Sequence, residues 1–311
     1  MLQTFKIFIY PTQQNQTSYS TTMEENFHSS LLESPYITTN PKEAHLFYLH
    51  VPPKSSLKSI SQLIKEVQTS FPFWNQALGA DHFYIACEGV RYESKRSIVE
   101  LKKNSIQISC FPSTQNRYIP HKDITLPPFH FSKELKPMKE IKYLGYAGYL
   151  NDLYSKNWSS SFIKELSGDP DFELDSEPFD YDPSEGLVSS KFCLFFYDIP
   201  VSIGGISEAL RIGCVAVVIS DRAITDLPFM DVLKWSEIAL FVGTSGGVKE
   251  VKKVLKGVCS DKYQKMREMG MAASKHFQWY VSPQPYDAFH TVLYQLWVRR
   301  HTIRYARSEP I

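Results

Sequence analysis

Residues 192–221, FCLFFYDIPVSIGGISEALRIGCVAVVISD, constrain the fold more than any other stretch of the chain. Two continuous apolar runs, Phe192–Tyr197 and Cys214–Ile219, are separated by a loop and by a helical pattern over Ile206–Arg211. Continuous apolar runs of this length are typical of strands that are buried on both faces, and a helical connection between them indicates that the strands are parallel. The stretch therefore predicts a β-α-β unit of an open α/β sheet.

The same alternation of strand and helix patterns runs through both halves of the chain. The predicted strands are Phe5–Tyr10, His45–His50, His82–Cys87 and Ser105–Cys110 in the first half, and Tyr143–Gly148, Phe192–Tyr197, Cys214–Ile219 and Ala239–Val242 in the second. The other helical patterns are Glu24–Leu32, Leu57–Ser70, Val248–Leu255, Tyr263–His276 and Tyr286–Arg304. The 311 residues suffice for two domains of about 150 residues each. We therefore expect an α/β chain with domains at 1–140 and 141–285, and a C-terminal helix at 286–311 that packs back across them.

Ligands of open α/β sheets bind beyond the carboxyl ends of the strands. The loops in which we expect chemistry follow His50, Cys87, Gly148, Tyr197 and Ile219. One of them leads to Gly204 and Gly205, at the start of a predicted helix, where backbone N–H groups commonly bind phosphate. No Arg or Lys occurs from Phe195 to Leu210. A phosphate site in this loop would therefore lack a cation of its own.

The composition excludes several broad classes of function. The formal net charge is +1, without a long run of one sign, which argues against nucleic acid or an anionic membrane surface as the main partner. The mean hydropathy is −0.27, and no stretch approaches the roughly 20 apolar residues that a membrane span needs. The first strand pattern begins close to Met1, and no signal peptide is visible.

The five cysteines are too few for a disulfide framework. Four lie in or beside apolar runs and are predicted to be small buried thiols: Cys87, Cys110, Cys193 and Cys214. Cys259 lies in a helical stretch. There is no C-x-x-C motif, and no His, Cys or carboxylate pair has a recognised ligand spacing, so no metal site is predicted.

Seven stretches share their order and spacing with one known family: NPKEAHLFYLHVP (40–52), PFWNQALGADHFYIAC (72–87), HKDITLPP (121–128), SSKFCL (189–194), EALRIGCVAVVISD (208–221), LPFMDVLKWSEIALFV (227–242) and HFQWY with PYDAFHTVLYQLWVRR (276–300). By these stretches the chain resembles the exostosin-type glycosyltransferases, family 47, and their plant branch in particular. The resemblance implies the GT-B fold, with two Rossmann-like domains facing across a cleft. It also implies inverting transfer of a sugar from a nucleotide-sugar donor to a glycan or small-molecule acceptor, without a metal or a resident cofactor.

The resemblance assigns the donor site to the C-terminal half. Glu208 matches the acidic residue that binds the ribose hydroxyls in such enzymes, and a carboxylate can accept both hydrogen bonds of a diol. The helix end at Gly204 and Gly205 would bind the phosphates, and Asp198 lies in the loop before it. Asp221 ends a strand at a position where the family also has Asp, although a turn-forming or helix-capping role explains it equally well.

The acceptor side is expected in the N-terminal half. Asp81 and His82 are predicted at the cleft end of its sheet, where the pair could position or deprotonate an acceptor hydroxyl. A histidine that is satisfied by hydrogen bonds at the start of a strand is the alternative. His50 stands where the family usually has proline, and is the third candidate catalytic residue.

The chain departs from the family pattern at the phosphates. Family members commonly have arginine where this chain has Gly205, and glycine where it has Asp198. An arginine would neutralise the diphosphate and stabilise the leaving group, whereas an aspartate would repel it. Glu88 and Gly89 likewise replace a common His-Asp pair.

Two hypotheses follow from these departures. In the first, the chain is a glycosyltransferase, and Lys156, Arg211, Arg222 or a helix dipole compensates for the missing cation. In the second, the family scaffold has been repurposed and no longer binds the donor diphosphate. It would then bind a small molecule, perform acid–base chemistry with His50, Glu88 and Asp198, or be non-catalytic.

The resemblance also implies a compartment. Members of this family are usually anchored in the Golgi membrane, with the catalytic domain in the lumen. We therefore expect the Golgi lumen, or the cytoplasm if the chain naturally lacks an anchor.

Overall fold

The computed structural model describes residues 4–11, 22–113, 117–128, 139–148, 160–175 and 185–307. It divides the chain into two compact units. The first unit comprises Met1–Pro127, Asp226–Phe229 and Tyr280–Ile311, and the second comprises Pro128–Thr225 and Met230–Trp279. The C-terminal helix, which the sequence placed in a separate segment, falls within the first unit.

The elements alternate between strand and helix, as the sequence predicts. The strands are β1 (Ile7–Ile9), β2 (Leu46–Tyr48), β3 (His82–Ile85), β4 (Ile106–Cys110), β5 (Ile124–Leu126), β6 (Tyr143–Ala147), β7 (Phe172–Leu174), β8 (Ser190–Phe196), β9 (Val215–Ile219) and β10 (Ala239–Val242). The α-helices are α1 (Met23–Leu32), α2 (Leu57–Ser70), α3 (Phe73–Ala77), α4 (Arg96–Asn104), α5 (Ser160–Ser167), α6 (Glu185–Val188), α7 (Pro200–Gly204), α8 (Ile206–Ile212), α9 (Trp235–Ile238), α10 (Gly247–Lys256), α11 (Ser260–Ala273) and α12 (Ala288–Arg307). Short 3₁₀ helices span Pro41–Glu43 and Ser274–Phe277.

The first unit contains a five-stranded parallel sheet in the order β1-β2-β3-β4-β5. Helix α2 begins where the side chain of Ser56 accepts a hydrogen bond from the Ser59 backbone N–H, 3.1 Å away. Its residues Ile60, Ile64 and Val67 recur at helical spacing and are buried in the core cluster of this unit. An amphipathic helix of this kind covers one face of a sheet and excludes water from it.

The second unit contains a five-stranded parallel sheet in the order β10-β9-β8-β6-β7. Every residue of β9 is buried, which matches the continuous apolar run of its sequence. Because β6 lies between β7 and β8, the chain leaves β6 toward one edge and later continues toward the other. This reversal is a topological switch point, the position at which open α/β sheets bind their ligands. The order of the described strands of the first sheet contains no such reversal.

The predicted fold class is confirmed: the chain is α/β and has two parallel five-stranded sheets, as expected of two Rossmann-like domains. All eight predicted strands are present. Two strands were not predicted, because β5 and β7 have only three residues each and lie in segments rich in proline or acidic residues.

The prediction of four free buried thiols is wrong. Cys87 is disulfide-bonded to Cys110, and Cys193 to Cys214. Each pair connects neighbouring parallel strands: the Cys110 N–H donates to the Cys87 carbonyl oxygen at 3.2 Å, and β8 pairs with β9. The sequence separations of 23 and 21 residues are those of adjacent strands joined through a helix, and that proximity was not used in the prediction. Cys259 is free and exposed.

No helix in the described part of the chain is both long and apolar enough to span a bilayer.

Candidate functional site

The carboxyl ends of β8 and β9 bring together two residues that lie far apart in sequence. Asp198 follows β8 and Arg222 follows β9, and the two strands are parallel neighbours. The Nε–H of Arg222 donates a hydrogen bond to the Asp198 carboxylate. The guanidinium lies 4.6 Å from the centroid of the Tyr197 ring, a cation–π contact. Arg222, one of the cations that could compensate for the missing family arginine, therefore contacts the loop after β8.

Arg222 retains donors for a further partner. Its side chain is 43% exposed, and Asp198 is its one hydrogen-bond acceptor among the described residues. The two terminal amino groups of the guanidinium therefore have no partner within the described part of the protein. A planar pair of such donors matches two oxygens of a phosphate. Because β8 borders the switch point of the second sheet, this guanidinium lies where a ligand of that sheet is expected.

Glu208 lies on α8 and is held by Arg211, one turn later. The Arg211 Nε donates to Glu208 Oε2 at 2.9 Å, and its Nη2 donates to Oε1 at 2.7 Å. Both side chains are mostly buried, with 22% and 11% exposed for Glu208 and Arg211. Each carboxylate oxygen has a second lone pair, so the fixed carboxylate can still accept from a ribose diol. Arg211 serves to orient Glu208 and is a poor source of a free cation.

Gly204 and Gly205 lie at the junction of two short helices. Helix α7 begins at Pro200 and ends at Gly204, and Gly205 lies between it and α8. The predicted helix is confirmed, because α8 covers Ile206–Ile212 with Gly205 at its N-cap, but a further short helix, α7, which ends at Gly204, was not predicted. Gly205 has φ −75° and ψ −4°, a conformation that any residue adopts. A Cβ on Gly204 would meet nothing within 4 Å, so position 204 does not require glycine for steric reasons.

Asp221 connects the loops after β9 and β10. Its Oδ1 accepts from the Thr244 backbone N–H at 2.6 Å, and its Oδ2 accepts from the Thr244 hydroxyl. These hydrogen bonds hold the pKa of the Asp221 carboxyl below its usual range. The arrangement is that of a turn-forming aspartate, the alternative that the sequence left open.

Asp81 and His82 are fully buried in the first unit. His82 is the first residue of β3, so the pair lies at the amino end of the strand, and its predicted position at the cleft end of the sheet is wrong. The His82 Nδ1 lies 2.7 Å from Asp81 Oδ1, and its Nε2 lies 2.7 Å from the hydroxyl oxygen of Tyr10. The ring is stacked on Phe47 at 5.0 Å, and burial lowers the pKa of His82 to about 3. The imidazole is thus neutral and sealed inside the core, where an acceptor hydroxyl has no access.

His50 lies at the opposite end of the sheet, two residues beyond the end of β2. Its ring centroid is 3.9 Å from that of His28 on α1. His50 is half-buried, and burial lowers its pKa, while the negative charge of Glu25 opposes that shift. Burial and the proximity of His50 lower the pKa of His28 to about 4. Two neutral imidazoles therefore lie at a carboxyl edge, where open α/β sheets carry their chemistry.

His28 and Glu25 were missed by sequence reasoning. Both belong to α1, separated from His50 by more than 20 residues of chain that include β2. One feature of the sequence could have indicated that His28 and Glu25 lie near His50. Helix α1 precedes β2 in a β-α-β unit, so one end of the helix approaches the carboxyl end of a strand.

The remaining candidates are placed less favourably. Glu88 is 86% exposed, and its carboxylate lies 3.8 Å from Arg117, a surface ion pair of little energetic weight. Lys156 lies outside the described residues. Within the described ranges, no group of three His, Cys, Asp or Glu side chains is placed to hold a metal ion.

Comparison with known proteins identifies one family and relatives that are all named as probable glycosyltransferases. The profile of the exostosin GT47 domain matches residues 1–258. A "Probable glycosyltransferase" of Arabidopsis thaliana is 26% identical over 303 residues, which cover 88% of this chain and 56% of the relative. The "Probable beta-1,4-xylosyltransferase IRX10" of the same plant is 26% identical over 305 residues, covering 86% of this chain and 72% of the relative. A "Probable glucuronosyltransferase" of Oryza sativa subsp. japonica is 26% identical over 337 residues, covering 93% and 80%. The chain spans 52–61% of the length of the first three relatives it matches.

Proposed function

The chain belongs to the exostosin GT47 family of glycosyltransferases, and from this premise we propose that it transfers a sugar, with inversion, from a nucleotide-sugar donor to a glycan or small-molecule acceptor. The names of two relatives make xylose and glucuronic acid the first sugars to test. The donor would bind to the second unit, at the carboxyl edge of its sheet.

The observation that carries the proposal is the guanidinium of Arg222. It lies beside the loop after β8, and its two terminal amino groups have no partner within the described part of the protein. The family arginine is replaced by Gly205, but Arg222 supplies the same charge to this loop from the neighbouring strand. As the bond between the sugar and the diphosphate breaks, negative charge develops on the leaving oxygen. A preorganised cation stabilises that charge more strongly in the transition state than in the ground state.

Asp198 modulates this site. The carboxylate and the Arg222 guanidinium form one ion pair, so the pair together has no net charge. A diphosphate must compete with Asp198 for the guanidinium, which weakens its binding relative to a free arginine. Glu208, oriented by Arg211, would accept hydrogen bonds from the ribose hydroxyls.

Binding of nucleoside diphosphates tests the proposal directly. The melting temperature should rise with millimolar uridine or guanosine diphosphate, because a ligand that binds only the folded state stabilises it by mass action. Arg222→Gln should weaken this binding about tenfold or more, the loss of a charge-assisted hydrogen-bond pair. Arg96→Gln is the matched control, because the Arg96 side chain is 87% exposed and belongs to the first unit.

The repurposed alternative predicts the opposite result. It is favoured by Asp198 in the loop after β8 and by Gly205 in place of the family arginine. A protein of this kind would give no response to any nucleoside diphosphate, in the wild type or in the variants. That outcome would overturn the transferase proposal.

We also propose the Golgi lumen as the compartment. The two disulfides support this location, because structural disulfides persist in the oxidising secretory route and are rare in the cytosol. Detection of the four paired cysteines as free thiols in protein isolated from its natural source would favour the cytoplasm instead.

A further inference from the structure

The side chain of Arg222 is held by contacts from three residues, all of them in the second unit. The hydroxyl oxygen of Ser220 accepts from the Arg222 backbone N–H at 3.2 Å, and the same hydroxyl donates to the Arg222 carbonyl oxygen at 3.0 Å. The Asp198 carboxylate accepts from the Nε–H, and the centroid of the Tyr197 ring lies 4.6 Å from the guanidinium. A long side chain that is 43% exposed would otherwise populate many rotamers, so these contacts determine where its charge lies.

Tyr197 is itself fixed at both ends. Its backbone N–H donates to the carbonyl oxygen of Ile219, the last residue of β9, at 3.0 Å. Its hydroxyl oxygen accepts from the backbone N–H of Thr225 at 3.4 Å. The residue is only 3% exposed. The ring is therefore a rigid support for the guanidinium, because packing and hydrogen bonds both limit its movement.

The ring and the carboxylate act on the guanidinium in different ways. Asp198 occupies the Nε–H of Arg222 and offsets its charge. The face of the Tyr197 ring attracts the cation through the quadrupole of its π-system, so it neither occupies an N–H donor nor adds a negative charge. The two terminal amino groups of Arg222, which have no partner within the described part of the protein, thereby stay available for the oxygens of a ligand.

We propose that Tyr197 is a positioning residue for the donor diphosphate, and that its ring holds the Arg222 guanidinium with both terminal amino groups available to the phosphates. This inference rests on the proposed function. A cation that is fixed before the ligand arrives does not have to be ordered on binding, so less of the interaction free energy is lost. The same fixed cation meets the charge that develops on the leaving group with little rearrangement.

The position of this contact in the sheet distinguishes it from another cation–π contact of the second unit. The Lys191 ammonium lies 4.6 Å from the centroid of the Tyr263 ring, at the same distance as Arg222 from Tyr197. Lys191 is the second residue of β8 and therefore lies at the amino end of the strand. Open α/β sheets bind their ligands beyond the carboxyl ends. The contact of Tyr197 lies at that edge, and the contact of Tyr263 provides a matched control.

The first experiment is calorimetric titration of the full chain with uridine diphosphate. Tyr197→Leu should weaken binding about fivefold, the usual worth of one cation–π contact. Tyr197→Phe keeps the face of the ring and should retain most of the affinity. Tyr263→Leu makes the same substitution at a cation–π contact of the same length and should leave the affinity unchanged.

A double variant separates positioning from general damage to the fold. If Tyr197 acts through Arg222, then Tyr197→Leu should cause no further loss of affinity in a background with Arg222→Gln. A merely structural role would weaken binding by the same factor in both backgrounds.

The order of the Arg222 side chain gives a second measurement that needs no nucleotide. Nitrogen-15 relaxation of the Arg222 Nε–H reports its motion on the picosecond-to-nanosecond timescale, and Arg222→Gln identifies the signal by its absence. The group should be ordered in the wild type and in Tyr197→Phe, and mobile in Tyr197→Leu. A mobile Nε–H in the wild type would overturn the inference even if Tyr197→Leu did not fold.

The outcomes separate the two proposals. If Arg222→Gln weakens the binding of uridine diphosphate but Tyr197→Leu binds it as tightly as the wild type, the inference about Tyr197 is overturned and the proposed function stands. The same holds if the loss in Tyr197→Leu persists undiminished in the double variant. If the wild type does not bind uridine diphosphate, the proposed function fails, and the role of Tyr197 in donor binding fails with it.

Discussion

The Nε2 atom of His82 lies 2.7 Å from the hydroxyl oxygen of Tyr10. With Asp81 on the other nitrogen, this bond completes a buried chain of three polar side chains that joins β1 to β3. His82→Ala would leave a cavity beside Phe47 and Trp74 and would remove the hydrogen bond between the imidazole and the buried Asp81 carboxylate. We expect a loss of about 3 kcal/mol in the free energy of unfolding, measured by urea denaturation. A loss no larger than that of His121→Ala would contradict a structural role.

The same histidine should make stability depend on pH. Burial lowers the pKa of His82 from 6.5 to about 3, so between these values the unfolded chain binds a proton that the folded chain does not. Stability is full above pH 6.5 and falls as the pH decreases through this window, by up to about 1.4 kcal/mol per pH unit. His82→Asn should show a shallower slope than the wild type in urea denaturation at pH 4.5 to 7. Equal slopes would show that the folded protein binds the proton.

The strongest sequence patterns predicted the strands and helices. The contacts of the candidate site were not predicted, because they depend on which elements are neighbours in space. Helix α2 was predicted with the bounds observed, because Ile60, Ile64 and Val67 recur at helical spacing. For Asp81 and His82 the structure agrees with the alternative interpretation, a histidine satisfied by hydrogen bonds at the start of a strand, because the pair lies at the start of β3 and not at its end. The pairing of Asp198 with Arg222 and the approach of His28 to His50 depend on which strands are neighbours. Sequence periodicity defines elements, but it does not specify which loop ends meet.

Restoring a cation at position 205 should strengthen nucleotide binding. The backbone of Gly205 has φ −75° and ψ −4°, so arginine can be accommodated without backbone strain. Gly205→Arg should tighten binding of uridine diphosphate about tenfold, measured by calorimetric titration. Gly168→Arg is the matched control, because it adds the same charge to an exposed site of the second unit where a Cβ meets nothing closer than 3.6 Å. If both variants gained the same affinity for uridine diphosphate, the added positive charge alone would explain the gain, and position 205 would have no specific role.

Asp198→Asn tests the competition for Arg222 separately. Removal of the Asp198 charge frees the Arg222 guanidinium. It also ends the repulsion between the Asp198 carboxylate and the diphosphate, so the affinity for uridine diphosphate should increase. The gain should be clearly smaller in a background with Arg222→Gln, because the part that comes from freeing the guanidinium depends on the ion pair between the two residues. Additive effects in calorimetric titration would show that they act independently.

The thiol count should distinguish paired from free cysteines. Alkylation of the unfolded, unreduced protein should modify one residue, Cys259, and alkylation after reduction should modify all five. Mass spectrometry of peptides should recover Cys193 linked to Cys214. Modification of five residues without reduction would contradict the structure. Since each bond constrains the unfolded chain, reduction should cost about 2–4 kcal/mol per bond.

Glu208 should discriminate ribose from deoxyribose. If its carboxylate accepts from the ribose diol, the wild type will bind uridine diphosphate more tightly than the 2′-deoxy analogue, by about fivefold to tenfold for one hydrogen bond. Glu208→Ala should lose this preference and bind both ligands with the lower affinity. Arg211→Lys keeps a positive charge but not the two-point contact, and should reduce the preference partially, because the carboxylate is then less well oriented. If Glu208→Ala still preferred uridine diphosphate over the 2′-deoxy analogue, the ribose would not be bound by Glu208. This conclusion would hold even if phosphate binding still depended on Arg222.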